Sequence, residues 1–305
     1  MDILEHRLVL PTALTEFRFR PFACVHEDEG GHHAELWAEC VETIANDPDC
    51  FTIGNGDYFS FARTHLRTHI RSYKDDENAL RDLDDMVKDR ARAFHRKHLV
   101  PMKGKLLGLA EGNHHWTFMN GTTSTQYLCE LAEVPYFGVA SGHNVYLYTK
   151  ADQVRSFDTL QLLVHHGDWG AAQTIGGDLN SVERKSAPWD ADIYVYAHTH
   201  RKIAWKEPYC SWPTKPQQRP IRIKERARVY IRCGSFLRGY MPGCSSYVEK
   251  KLLRPTDLGW VTTHIKYGQP YDPEQYARER AVGQGGDKAH NRSRLAIQPK
   301  FRVEY

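Results

Sequence analysis

No uncharged apolar run in this chain approaches the roughly 18 residues that a membrane-crossing helix needs. The first residues, MDILEHRLVLPT, carry Asp2, Glu5, His6 and Arg7 inside their only apolar stretch, which is not the uninterrupted centre of an export signal. Cysteine is sparse and odd in number: seven residues, at 24, 40, 50, 129, 210, 233 and 244, with no CxxC pair. These features predict reduced thiols and a cytoplasmic location rather than a disulfide scaffold. An excess of one charge is also missing. Against 38 acidic residues stand 41 basic ones, a net of +3, so bulk electrostatics does not argue for nucleic acid, and only a local basic groove stays open. Glycine accounts for 22 of 305 residues without a triplet period, which excludes a collagen-like fibre, and no internal repeat is visible. The length fits one large domain or two small ones, and long chains bury most of a sizeable core.

What the chain has in unusual number is histidine, 17 residues. Histidine is the commonest metal ligand and a common acid–base group, so its placement decides the reading. FRFRPFACVH (17–26) alternates and then turns apolar, as a strand entering a core does. GGHHAELWAECVETIAND (30–47) follows as a helix stopped at Asp47-Pro48, and CFTIGNGDYF (50–59) is a short strand ending in a tight turn. Together they predict a β-α-β unit with a parallel pair. Residues 61–99 read as one or two surface helices inserted between core strands, with Leu80, Leu83, Val87, Ala91 and Phe94 along one stripe. Strands are expected in KLLGLAEGNHHW (105–116), PYFGV, NVYLYT, LQLLVHHGDWG (160–170), DIYVYAHTHRK (192–202), RVYIRCGSFLRGY (228–240) and LGWVTTHIKY (258–267). Helices are expected in TSTQYLCELAEV (123–134) and LNSVERKSAPWDAD (179–192). The organisation is therefore one domain over 1–269 and a polar C-terminal tail over 270–305.

Several of these apolar runs stop at a glycine or polar turn bearing metal-type side chains: Gly56-Asp57, Gly112-Asn113-His114, His165-His166-Gly167 and His198-Thr199-His200. Cys24-Val25-His26 closes the first strand in the same manner. Sites in open α/β sheets gather beyond the carboxyl ends of strands. Each motif alone is ordinary turn, capping or surface chemistry; their joint order is specific.

That order resembles the calcineurin-like metallophosphoesterases, whose motifs run Asp-x-His, Gly-Asp, Gly-Asn-His, His-Gly and Gly-His-x-His. Here they read ACVH (23–26), GNGD (54–57), EGNHH (111–115), VHHG (164–167) and AHTH (197–200). The resemblance covers roughly 17–267, because GSFLRGY (234–240) and the closing strand also look like the end of such domains. It implies an α/β fold, a two-layered β-sandwich flanked by helices. It also implies two divalent transition metals, Mn, Zn, Fe or Ni. One would be held by the first-motif residues with Asp57 and His200, the other by Asp57, Asn113, His166 and His198, with Asp57 bridging. His166 is chosen over His165 because it directly precedes Gly167. His114 takes the place of the family's catalytic histidine and is not a ligand. The implied chemistry is phosphoester hydrolysis: two cations about 3.5–4 Å apart clamp a phosphoryl group and share a hydroxide, while a protonated His114 serves the leaving group.

Two departures matter. Cys24 stands where the family has Asp, beside His26; by strand periodicity Cys24, His26 and Asp28 share one face. Three readings compete: Cys24 binds as a thiolate and favours Zn or Fe, Asp28 reaches back as a replacement carboxylate, or this metal site is weak and Cys24 is a small buried residue. The second departure is His115, where the family usually has an acid able to orient the catalytic histidine.

The function implied is a metal-dependent phosphodiesterase, nuclease or phosphatase acting on a phosphate-ester substrate, with nucleic acid among the candidates and no membrane partner. Basic residues Arg63, Arg67, Arg71 and Lys74 in the insertion, and Lys288, Arg292, Arg294, Lys300 and Arg302 near the end, are the possible contacts, though a solvated face is the commoner use of such runs. The alternative is a binding or scaffold protein that retains the fold with an impaired metal site; Cys24 favours it and the other retained residues oppose it. Oligomeric state is not legible.

Overall fold

The computed structural model describes residues 1–61, 77–167, 170, 174–211, 224–243, 246–250, 252–267 and 299–305. Arg63, Arg67, Arg71, Lys74, Lys288, Arg292 and Arg294, the basic residues considered above, lie outside them.

Two sheets stack face to face. One has six strands in the order β1 (Asp2–Leu10), β5 (Ala140–Thr149), β6 (Asp158–His165), β7 (Ile193–Tyr196), β9 (Lys224–Cys233), β8 (Lys202–Ser211). The other has five, ordered β11 (Pro299–Glu304), β10 (Thr262–Tyr267), β2 (Phe17–Phe19), β3 (Cys50–Asn55), β4 (Leu106–Ala110). Alternation along each strand divides its side chains between two cores. Leu160, Leu162 and Val164 of β6 and Ile193 and Val195 of β7 point inward to meet Phe17, Phe19, Phe51, Ile53 and Ile265 of the facing sheet. Leu163, Tyr194 and Tyr196, one residue out of phase, point outward and pack on Val182 of helix Ile175–Ser186. Helices Ala34–Asn46, Glu77–Phe94 and Ser124–Ala132 cover the outside of the five-stranded sheet through Trp37, Ile44, Val87, Phe94 and Leu128. The result is the expected two-layered sandwich with helices on both outer faces.

The β-α-β unit is present: β2 and β3 are parallel, with Arg18 opposite Cys50 and Phe19 opposite Phe51. Helix Ser124–Ala132 opens on a capping box formed by Thr123 and Gln126. Helix Ile175–Ser186 begins four residues earlier than its apolar pattern suggests, at a Thr174 cap, and stops two residues before Pro188.

Helix Glu77–Phe94 lies between β3 and β4, as expected, with Val87, Ala91 and Phe94 of its apolar stripe buried against the first helix and the sheet. Three expectations are corrected. PYFGV forms no strand, only an isolated bridge between Leu109 and Tyr136. The polar tail does not end free: β11 pairs antiparallel with β10, setting Phe301 opposite Ile265 and into the core. Finally, the strand expected over 17–26 is regular only as far as Phe19. Pro21 has no N–H to give, and Cys24 and His26 adopt positive φ of 50° and 48°. The chain still runs beside β3, with Phe22 N donating to Ile53 O and Cys24 N to Gly56 O. The period-two face uniting Cys24, His26 and Asp28 is lost.

Candidate metal centre

The strand ends named above meet at one edge of the sandwich. From the five-stranded sheet, β3 runs into Gly56-Asp57 and β4 into Gly112-Asn113-His114; from the six-stranded sheet, β6 runs into His166 and β7 into His198 and His200. Asn55 ties the two layers together here, its Nδ2 donating to His165 O at 3.2 Å and Val195 O at 3.5 Å. Glycine is required at the crossing. A Cβ on Gly56 would lie 2.5 Å from His166 Nδ1, and one on Gly112 would lie 2.0 Å from Asp57 Oδ1. Of the seven non-glycine residues with positive φ among those described, five are Cys24, His26, Asp57, His198 and His200. Such backbone costs energy and tends to collect at functional sites.

Around Asp57 the polar atoms converge. Its Oδ2 lies 3.0 Å from His166 Nε2 and 3.9 Å from His26 Nε2. Asn113 Oδ1 lies 3.2 Å from His166 Nε2 and 2.9 Å from His198 Nδ1. His26 Nε2 and His200 Nε2 are 3.2 Å apart. Cys24 Sγ belongs to two clusters of donor atoms, one with His26 and His200 and one with Asp57 and His166, each within 4.8 Å. Cys24 is fully buried, His26, Asp57 and His166 nearly so.

The donor pattern is one a cation would satisfy. His166 Nδ1 faces Asn55 O at 2.5 Å and must donate to it, because a carbonyl only accepts. If the ring is neutral, Nε2 is then its lone-pair nitrogen, pointed at a carboxylate oxygen and an amide oxygen. Three acceptors around one point need either a second proton or a metal ion between them. Anchoring the far ring nitrogen on a backbone carbonyl is also how metal-binding histidines are usually held. His26 is held similarly, with Nδ1 2.9 Å from Ser60 Oγ.

Electrostatics without a cation follows from the same contacts. Burial pushes the Asp57 carboxyl up, but the charge of His166 and its hydrogen bond outweigh it and hold the group well below the usual carboxylate range. Burial lowers His166, and Asp57 overcomes this and raises it. Burial, then His200, drives His26 well down; burial brings His200 to about 4, and burial with His166 lowers His198. These three histidines therefore favour the neutral ring, which has one lone-pair nitrogen. Burial, then Asp57, pushes the Cys24 thiol well up.

Asp28 is not in the cluster, correcting its candidacy as a replacement carboxylate. Its two oxygens accept from Ser60 N and Phe61 N. It shapes the turn that presents Ser60 to His26. His114 donates its backbone N–H to Asp57 Oδ1 at 3.0 Å, and its ring stands edge-on to His26 with centroids 5.3 Å apart. Its Nδ1 is buried without a hydrogen-bond partner among the described residues. His115 turns away, its Nδ1 2.9 Å from Gly112 O and 3.5 Å from the Glu111 carboxylate. The ring of His165 lies on the outer side near Tyr196, with centroids 6.4 Å apart.

Three supporting residues escaped the sequence reading. Asn55 sat in view within GNGD, and Ser60 just past it. Arg232 gave no signal within an apolar strand. It is fully buried, pairs with Asp178 at 2.8 Å and donates from Nη1 to Ala197 O at 2.9 Å, fixing the strand end before His198.

No family model and no curated protein sequence matches the chain. Solved structures with a related arrangement include a conserved uncharacterized protein, described as a predicted phosphoesterase, from Streptococcus pneumoniae, at 11% identity with 84% of this chain and 86% of that one covered and a TM-score of 0.33. Others are Vps29 of Chaetomium thermophilum, at 10%, 94%, 96% and 0.32, and Vacuolar Protein Sorting 29 of Cryptosporidium parvum, at 11%, 83%, 90% and 0.35. Likeness this distant transfers neither activity nor partner. Among the described residues no helix is long and apolar enough to cross a membrane.

Proposed function

We propose that this chain is a metal-dependent phosphoesterase of the calcineurin-like metallophosphoesterase type, hydrolysing a phosphodiester or phosphomonoester. The observation that carries this reading is the set of acceptors around His166 Nε2, at the sandwich edge where Asp57, Asn113 and four histidines converge from two sheets. Asp57, Asn113, His166 and His198 would hold one divalent ion; Cys24, His26, His200 and the shared Asp57 would hold the other. The mixed N, O and S donors suit Zn, Fe, Mn or Ni better than Ca. When bound, the ions supply Lewis-acid polarisation of the phosphoryl group and a nucleophile at neutral pH. The chain's own residues do the rest. Asp57 supplies the negative charge that both sites share. Asn55, Ser60 and Arg232 keep the ligands in place before substrate arrives. His114 stands beside the cluster, bound to it only through its backbone, free to hold a proton for the leaving oxygen.

The test is a metal analysis of purified protein with a panel assay. The panel includes a generic phosphodiester, a generic phosphomonoester, and single- and double-stranded DNA and RNA, each with Mn, Zn, Fe and Ni. Two metals per chain and turnover of one substrate class are expected. One metal or none, with no turnover across the panel, would favour a binding protein that keeps the fold with an impaired site; the buried thiol of Cys24, with its raised pKa, is the feature on its side.

Cys24 has its own expected outcome. A thiol must lose its proton to bind a metal and then prefers Zn or Fe, whereas a carboxylate takes Mn readily. Aspartate also tolerates the positive φ at this position better than most residues. Cys24→Asp should therefore raise Mn occupancy and the Mn-dependent rate, and Cys24→Ala should lose one metal per chain, because the Asp28 carboxylate is already engaged with Ser60 and Phe61. Metal stoichiometry and Mn-dependent rate of the three proteins decide it. A Cys24→Ala protein that still carries two metals removes the thiolate from the ligand set.

A further inference from the structure

β1 is the edge of the six-stranded sheet, nine residues long, paired on one side with β5 in parallel register from Asp2 opposite Ser141 to Leu10 opposite Thr149. Among the described residues no strand pairs with its other side. A long edge left open is a template for another strand, and proteins normally block it with short length, proline, a bulge or charged side chains; the charges at the middle of this edge, Glu5 and Arg7, are of opposite sign. Here none of Asp2–Leu10 is proline, and the register with β5 is continuous.

The side chains sort cleanly. Leu4 and Leu8 pack against the main core, and His6 turns the same way, its Nε2 3.0 Å from His143 Nδ1. Ile3, Glu5, Arg7 and Val9 face outward, with Ile3 70% and Val9 36% exposed. Two charges lie at the middle of this outer face, held by β5 and the segment that follows it. Glu5 accepts from Tyr146 Oη at 2.9 Å; Arg7 donates to Gln153 O at 2.7 Å and lies 4.3 Å from the centroid of Tyr148.

We propose that β1 pairs antiparallel with β1 of a second copy of this chain, about a two-fold axis through His6, so that the two six-stranded sheets become one. The symmetry sets Ile3 opposite Val9 of the second copy, Leu4 opposite its Leu8 and Glu5 opposite its Arg7, each contact occurring twice. Cross-strand pairs of opposite charge and of apolar side chains stabilise such an edge. The register is selected from both directions. Sliding by two residues sets Glu5 against Glu5 one way and Arg7 against Arg7 the other, and sliding by one residue puts core-facing side chains opposite solvent-facing ones. The contact is isologous and closes at two copies, so it yields a dimer and not a fibre. It is independent of the metal centre, which lies at the carboxyl ends of β3, β4, β6 and β7.

Sedimentation equilibrium of the full chain over about 1 to 100 μM tests this, the range expected for an interface at the small end. Twice 35.2 kDa is expected at the upper end of the range. Glu5→Arg and Arg7→Glu, each alone, put like charges opposite twice and should weaken the dimer about tenfold or more. The double exchange Glu5→Arg with Arg7→Glu restores opposite charges and should recover it. Should a single variant fold poorly, amide exchange of the unaltered chain gives the same answer: protection at residues 3–9 should rise with protein concentration while β7 stays constant. A monomer throughout the range overturns the proposal, as it would if another part of this chain covered the edge. A dimer indifferent to both single reversals overturns it as well.

Discussion

Asp57→Asn should strip at least one metal from each chain and lower hydrolysis by roughly 10³-fold or more, corresponding to the several kcal/mol of charge stabilisation that bound ions supply. The substitution keeps volume and shape, so its effect reads as charge. Among the described residues Asp57 is the one carboxylate of the donor clusters, with one oxygen 3.0 Å from His166 Nε2 and 3.9 Å from His26 Nε2 and the other accepting from His114 N. Asparagine offers one acceptor and one donor in its place. Either the oxygen stays toward His166 without its charge, or an NH₂ takes its position and meets the lone pairs that should receive cations. Both outcomes weaken both sites together, which separates Asp57 from a residue serving one metal. Elemental analysis and steady-state rates on the same preparation check it. Two metals per chain with near-normal turnover would remove Asp57 from the shared position.

The carboxylate also links the metal-free fold to pH. Its pKa in the folded chain lies below the unfolded value, so its contribution to stability is complete above the ordinary carboxylate pKa and is lost as pH falls through the folded one. Bound cations extend that dependence, since protons compete for the same histidines and thiol.

The strand ends were legible because two signals coincided there. Continuous apolar runs, buried on both faces in β3 and β7, stop abruptly, and the residues that follow are glycine together with Asp, Asn or His. The glycines carry physical information: Gly56 and Gly112 stand where no Cβ fits between Asp57 and His166. The Cys24–Asp28 face was misread because period two presumes extended backbone, and positive φ at Cys24 and His26 breaks the alternation. Asp28 reads as a ligand in one dimension and is a turn-former in three. The helical stripe of Leu83, Val87, Ala91 and Phe94 was seen, but not what it packs on, because pattern reports an apolar face and not its partner. β11 stayed hidden because Pro299–Glu304 alternates charge with Phe301 and Val303 as an edge strand does, and its pairing with β10 is a contact that local pattern does not show. Arg232 and Asp178 form a buried pair from residues far apart in sequence, which no local pattern announces.

His114→Ala should leave metal content and fold intact while lowering the rate by about 10²–10⁴-fold, the usual worth of a positioned acid–base group. The separation of the two effects rests on how His114 is attached. Its tie to the cluster runs through the backbone N–H to Asp57 Oδ1, which alanine retains. Its ring contributes to neither donor cluster but stands edge-on to His26 at 5.3 Å, beside the site where the proposed reading would seat a phosphoryl group. The unpartnered Nδ1 adds a further expectation. With His115 turned toward Gly112 O, no acid among the described residues bonds to the imidazole Nδ1, and the ring packs against His26. The loss should shrink for an ester whose leaving group departs without a proton, such as a nitrophenolate, because only the proton-transfer part of the barrier has been removed. The comparison is therefore rate for two leaving groups and metal per chain, for the parent and His114→Ala. An equal loss for both leaving groups would leave His114 a role in charge stabilisation alone; loss of metal would make it a ligand and overturn the assignment.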